Sequence, residues 1–244
     1  MIVTAHQPAY LPWLGYIHKI AISDIYVLLD DVQFEKNSFT NRNKIWSANG
    51  EVLLTVPIQS KGHIDKPMRE LEISNNEKWC AKHWKSIELN YKKAPYSSRY
   101  APWLESIYNK QWNTLVELTD VMLSFFLGEM GITTKIVRQS ELSLKSHKQD
   151  LVFDLCKATG ATTYISGKLG KDYIDAAPFE GAGIKVYFQD YNHPVYPQIG
   201  NREFTPYLGI IDLLMNVGPD QALQYVLLNN DSKSTLTVLP GEIR

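Results

Sequence analysis

The chain has 244 residues, 44% hydrophobic and 21% charged, with 25 lysines and arginines against 26 aspartates and glutamates for a formal net charge of −1. A chain of this length buries a large core without covalent staples, and its balance of apolar and charged residues excludes disorder throughout. Near-neutrality also removes the excess of lysine and arginine that non-specific nucleic-acid binding runs on.

The first residues, Ile2 to Ala5, read as a short buried strand. Pro12 then suits the first turn of a helix reaching about Ala21, with Leu14, Ile17 and Ala21 on one face. His6 and Gln7 fall in the intervening loop, at the carboxyl edge expected to face a substrate; a histidine there accepts a proton or donates to a phosphate oxygen, or simply holds the loop. Gly15 opens the helix where an absent side chain lets phosphate approach backbone donors or lets the helix pack closely. His18 and Lys19 extend such an anionic site or decorate a solvated helix face. Tyr26 to Leu29 resume strand composition, completing a β-α-β unit, and Asp30 and Asp31 follow it. One of these carboxylates can orient a sugar hydroxyl, activate an amine or help hold magnesium, or both can serve as strand-end caps.

Asn41, Arg42, Asn43 and Lys44 form the most compact polar group. Arginine clamps phosphate or carboxylate with two donors and the amides read a planar ligand or sugar, unless the group is a polar lead-in to the next hairpin. That hairpin runs from Lys44–Ser47 through an Asn49-Gly50 turn into Val52–Ile58. Residues 60 to 69, with His63, are expected at the surface. From residue 75 to 108 the chain is rich in aromatics, including Trp79, Trp84, Tyr91, Tyr96, Tyr100 and Trp103, with helical pieces broken near Pro95 and Pro102. Thr114 and Glu117 form a capping box for a helix ending at Gly131. A strand over Ile132–Val137, a helix from Ser146 to Gly160, and strands at Thr162–Ile165 and Ile184–Phe188 complete the alternation. Thr205-Pro206 is expected to start a helix through Val217, and Pro219 another.

The expected fold is therefore α/β, a Rossmann-like parallel sheet body with an aromatic-rich helical insertion: residues 1–72 and 131–244 form the body, and 73–130 the helical subdomain. Ser166, Gly167 and Lys168 follow a candidate strand and bring ammonium charge to a phosphate, or form a plain glycine turn. His193 and Tyr196, with Gln198, Asn201 and Arg202 nearby, can build a wall for a sugar and an acid group, or anchor the last helices. The only cysteines, Cys80 and Cys156, offer no disulfide framework and no thiolate cluster, so no metal site is assigned. Their scarcity fits a reducing, cytoplasmic compartment. No stretch approaches the roughly 20 apolar residues of a membrane span, so membrane insertion is not expected.

The segments HQPAYLPWLGY, LLDDVQF, NRNKI, GATTYISGKLGKDYI, HPVYPQ and YLGIIDLLMNVG closely resemble the WbqC-like protein family over nearly the whole chain. That resemblance implies a part in bacterial surface-polysaccharide or O-antigen biosynthesis. Residues 1 to 34 also resemble the start of adenylate-forming and nucleotidylyl-transfer enzymes of the pantothenate synthetase and class I aminoacyl-tRNA synthetase type. His6 looks like the first histidine of their nucleotide-binding element and Gly15 like its glycine, while Tyr16 stands where a second histidine is usual. By the same likeness SGKLGK at 166–171 resembles a phosphate-contacting loop. The resemblances imply ATP and Mg²⁺ as cofactors, an anionic nucleotide or sugar nucleotide as ligand, and other surface-glycan enzymes as partners, with nucleic acid disfavoured. His6, Asp30, Asp31 and Lys168 are the expected catalytic groups; Gln7, Gly15, Asn41, Arg42, Asn43, Ser166, Gly167, His193 and Tyr196 are the expected binding groups. ATP-dependent attachment of an amino acid or acyl group to an amino sugar is the leading expectation. ATP-independent acyl transfer from a carrier, or a noncatalytic sugar-nucleotide-binding scaffold, are the alternatives.

Overall fold

The computed structural model describes residues 1–35, 38–59, 66–76, 78–200 and 203–237. Five parallel strands form the main sheet: β1 (Ile2–His6), β2 (Ile25–Leu28), β5 (Lys135–Arg138), β6 (Thr163–Ser166) and β7 (Lys185–Phe188), in the spatial order β5-β2-β1-β6-β7. The intervening pair, β3 (Arg42–Ser47) and β4 (Gly50–Thr55), is a separate antiparallel hairpin. The Rossmann-like α/β expectation holds. From β1 the chain winds outward through β2 to β5, then returns to the other side of β1 for β6 and β7. The order therefore reverses between β1 and β6, where open α/β sheets leave a crevice at the carboxyl ends of their strands.

Helices cover both faces because alternate strand residues point opposite ways and both sets are apolar. Val3, Ala5, Ile25 and Val27 pack with Val152, Leu155 and Cys156 of α5 (Lys148–Thr159) and Phe179 of the short α6 (Ala177–Gly181). Tyr26 and Leu28 face the larger core, shared by α1 (Leu14–Ala21), α2 (Trp79–Tyr91), α3 (Ser97–Tyr108), α4 (Leu115–Glu129), α7 (Ile210–Val217) and α8 (Pro219–Leu227). The aromatics of residues 75 to 108 fill this core: Trp79, Tyr91 and Tyr100 are buried. The last helix, α9 (Lys233–Thr237), adds Leu236 to a small cluster with Ile2, Ile22 and Ile165.

Several boundaries carry a physical lesson. The Thr114–Glu117 capping box is present on α4, and Gly160 ends α5 in the left-handed region at φ +68°. Pro102 lies inside α3 rather than breaking it; it forgoes one backbone bond, while buried Tyr100 and Leu104 on either side hold the helix to the core. The hairpin turn falls at Ala48-Asn49, one residue earlier than the Asn-Gly pair suggests, because Gly50 already pairs with Ser47. Thr205 does not cap a helix: its amide donates to Gln198 Oε1, Tyr207 takes φ +60°, and α7 begins only after Gly209.

Candidate functional site

A cleft of about 630 Å³ opens at the switch point, lined among others by His6 and Gln7 at the end of β1, Gly15 and Lys19 on α1, Ser166 to Gly170 at the end of β6, and Gln189 to Tyr191 after β7. Six of the expected residues meet here: His6, Gln7, Gly15, Ser166, Gly167 and Lys168. They converge because the connections that follow β1 and β6, neighbouring parallel strands, leave the same sheet edge.

His6 is the most constrained of them. Its ring lies edge-on to Trp13 at 5.3 Å and to Tyr16 at 5.0 Å. Its Nδ1 is 3.0 Å from the carbonyl of Gln7, an acceptor only, so Nδ1 carries the hydrogen and Nε2 has the lone pair. No other protein group bonds Nε2 among the described residues. Burial first, then the charge of Lys19, push the imidazole down to about 3, against a weaker opposing pull from the Gln7 carbonyl, so the ring is neutral near pH 7. Tyr16 supports His6 from beneath. Its hydroxyl bonds that of Tyr26, and the two hydrogens of the pair are shared between this bond and the nearby carbonyls of Gln7, 3.4 Å from Tyr16, and His6, 3.2 Å from Tyr26. The tyrosine pair thus fastens the backbone on which His6 stands.

Glycines shape the walls. A methyl group on Gly15 would lie 3.1 Å from the Tyr191 ring, so close packing as well as cleft access needs glycine there. At Gly170 it would fall 1.9 Å from Ser166 Oγ; this lets the turn Lys168–Asp172 fold against β6. Gln189 Nε2 bonds Gly15 O at 3.0 Å and His18 Nδ1 at 2.8 Å, fixing α1 to the exit of β7. Lys168 pairs with Asp190 at 3.1 Å on the rim, where both are largely exposed. The mouth is apolar: Trp13, Leu169, Tyr173 and Tyr207 line it, the last three exposed.

The remaining expected residues lie elsewhere than the cleft lining. Asp30 is buried, accepts from Ser140 N at 2.9 Å and Ser140 Oγ at 2.7 Å, and lies 3.6 Å from Arg138. Asp31 pairs with Arg69. Neither carboxylate is placed to hold Mg²⁺ against a cleft-bound phosphate, and among the described residues no group of three histidines, cysteines or carboxylates gathers as a metal site. Asn41 Nδ2 donates to Val56 O at 2.8 Å and Asn43 Nδ2 to Leu11 O at 2.5 Å. Leu11 has φ +45°, so Asn43 holds a strained point of the loop that carries Gln7 and Trp13. Arg42 sits on β3 opposite Thr55. His193 Nδ1 donates to Pro194 O at 2.8 Å and its Nε2 accepts from Tyr207 N at 3.1 Å, so it orients a residue of the cleft mouth. Tyr196 donates to Asp212 Oδ2 at 2.8 Å, beside Gln198 Nε2 at 2.7 Å on the same oxygen and Tyr91 at 2.8 Å on Oδ1. His63, Asn201 and Arg202 lie outside the described residues.

Two cleft residues, Lys19 and Gln189, carry more weight in the structure than their sequence context suggests. Lys19 reads in sequence as an extension of an anionic site or as part of a solvated helix face, and at 4% exposure it is not solvated. Gln189 gives no local signal. None of the helices formed by the described residues is long and apolar enough to cross a membrane.

Comparison with known proteins agrees with the motif pattern. An uncharacterized protein of Mycobacterium tuberculosis, Rv1507c, is 33% identical over 216 residues, covering 88% of this chain and 93% of its own length. No solved structure matches. Residues 7–224, which take in the cleft lining other than Ala5 and His6, match the WbqC-like protein family, and the chain belongs to that family.

Proposed function

We propose that the protein is a transferase or ligase that modifies a sugar nucleotide for bacterial surface-glycan synthesis, attaching an amino acid or other acyl group to an amino sugar in the switch-point cleft. The observation that carries this reading is His6: a neutral imidazole at the end of the central strand, with Nδ1–H committed to Gln7 O and Nε2 left as an acceptor. Nε2 accepts a proton from the attacking amine as its nitrogen bonds the acyl carbon, and the leaving group departs with the electron pair of the broken bond. An anion in the cleft makes His6 more basic as it binds, because nearby negative charge favours the imidazolium. Lys168 stands at the rim, where it meets an incoming phosphate. The cytoplasm supplies both the substrate class and the partner enzymes of the pathway.

The acyl donor is either an acyl adenylate made from ATP or an acyl group on a carrier. Tyr16, occupying the second-histidine position and bonded to Tyr26, favours the carrier route. Purified protein is incubated with an amino-sugar nucleotide, candidate acids and Mg-ATP, or with an acylated carrier, and the sugar is weighed by mass spectrometry. A mass-shifted sugar with AMP and pyrophosphate identifies the ATP route, and a shift that needs the carrier without AMP identifies the other. Folded protein that yields neither across pathway sugars discards the transferase and leaves a binding or scaffold role.

A further inference from the structure

Lys19 lies one helical turn beyond Gly15 on the same face of α1, lines the cleft and is 4% exposed. Among the described residues its ammonium has neither a carboxylate nor a hydrogen-bond acceptor. A charge so enclosed and unpaired is costly, and folds that keep one generally leave its counter-charge to be supplied. The other charged groups of the cleft do not supply it. Asp190 is taken by Lys168 on the rim, and Glu35 is exposed. His6 is close enough for the two positive charges to oppose each other, and burial first, with the Lys19 charge second, keeps the imidazole neutral where the lysine is charged.

We infer that Lys19 anchors an oxyanion of the ligand, a phosphate or carboxylate group that enters the cleft and provides the negative charge the fold omits, and that Lys19 rather than Lys168 sets the affinity for anions. This rests on reading the cleft as the ligand site. It also orders the ligand: the anion lies deep against Lys19, the reacting group lies by His6 Nε2, and the rest lies along Trp13, Tyr173 and Tyr207. Such a ligand is an amphipathic anion with a planar or apolar portion, which a sugar nucleotide satisfies.

Inorganic pyrophosphate and acetate are titrated by calorimetry into the full chain and into its Lys19→Met, Lys19→Arg and Lys168→Met variants. Wild type is expected to bind one of the two probes, which tells phosphate from carboxylate. Lys19→Met is expected to weaken that binding at least about tenfold, Lys19→Arg to restore part of it, and Lys168→Met to weaken it only two- to threefold, as roughly expected for a buried against an exposed charge. A thermal midpoint of Lys19→Met equal to or above that of wild type shows that the loss is not misfolding. Equal anion binding by wild type and a folded Lys19→Met, or none by wild type, overturns the inference. An amino-sugar nucleotide turned over at the wild-type rate and KM by Lys19→Met overturns it too, while leaving the proposed function standing. Lys19-dependent pyrophosphate binding without sugar turnover does the reverse.

Discussion

Lys19 and Asp212 are both ionisable, and both are almost wholly enclosed, at 4% and 0% exposure. They differ in what surrounds the charge. Asp212 lies in the first turn of α7, and its carboxylate accepts from Tyr91, Tyr196 and Gln198; Tyr91 in turn accepts from Trp46 N at 2.9 Å. Burial raises its affinity for a proton while the three donors lower it, so each bond offsets part of the desolvation. Lys19 has no such company, and burial pulls its ammonium down to about 8. The first group has its hydrogen-bonding capacity filled by the fold and ties hairpin, helix and carboxyl-terminal loop together. The second is left open at a cleft. A buried charge whose partners are complete holds structure, and one whose partners are missing marks where a ligand is to come.

That contrast is open to attack. The largest effect is expected from Asp212→Ala, which strands three donors and should cost about 3 kcal/mol in urea unfolding. Asp212→Asn should cost about half of that, with pyrophosphate binding in the cleft retained; a change below about 0.5 kcal/mol for both would void the structural role. Thr114→Ala, loss of one half of the α4 capping box, should cost about 1 kcal/mol. Lys19→Met should be neutral or stabilise by about 1 kcal/mol, and a loss comparable to Asp212→Ala would collapse the comparison. Lys168→Ala should shift stability by no more than about 0.5 kcal/mol, since its partner is equally exposed.

Lys19 also gives the contrast a pH signature. Its folded-state proton affinity is lower than in the unfolded chain, so between about pH 8 and about 10.4 the unfolded state binds more protons and Lys19 adds stability as pH rises. That contribution disappears as pH falls through about 8, whereas anion binding follows the opposite course because it needs the ammonium. Stability and pyrophosphate affinity measured across this window should therefore diverge in wild type and run together in Lys19→Met. His6, the ionisable group close to Lys19, stays neutral throughout the window.

Most of the architecture is legible from local signals. The β-α-β start, the Thr114–Glu117 box, Gly160 and Pro219 all act within a few residues of themselves. The loops at the carboxyl ends of β1 and β6 were legible for the same reason, and with them His6 and Ser166 to Lys168. Polar side chains were harder. Asn41 and Asn43 look in sequence like a ligand-reading pair, but whether an amide meets a ligand or a carbonyl depends on Val56 and Leu11, which lie far along the chain. Lys19 shares its cleft with Gln189 to Tyr191, which follow β7 some 170 residues later. Asp212 did leave a trace: one carboxylate in the apolar run IIDLLMNV requires donors from elsewhere, and Tyr91, Tyr196 and Gln198 are those donors.

The rim pair of Lys168 and Asp190 has a kinetic consequence. Both ends stand in solvent, so salt screens them, whereas Lys19 is set deeper in the cleft at 4% exposure, where screening is weaker. Raising ionic strength should therefore slow or speed the arrival of an anionic ligand through the rim far more than it alters how long the ligand stays. Association and dissociation rates followed against salt would then report the two lysines separately, in the unmodified protein and with no substitution made.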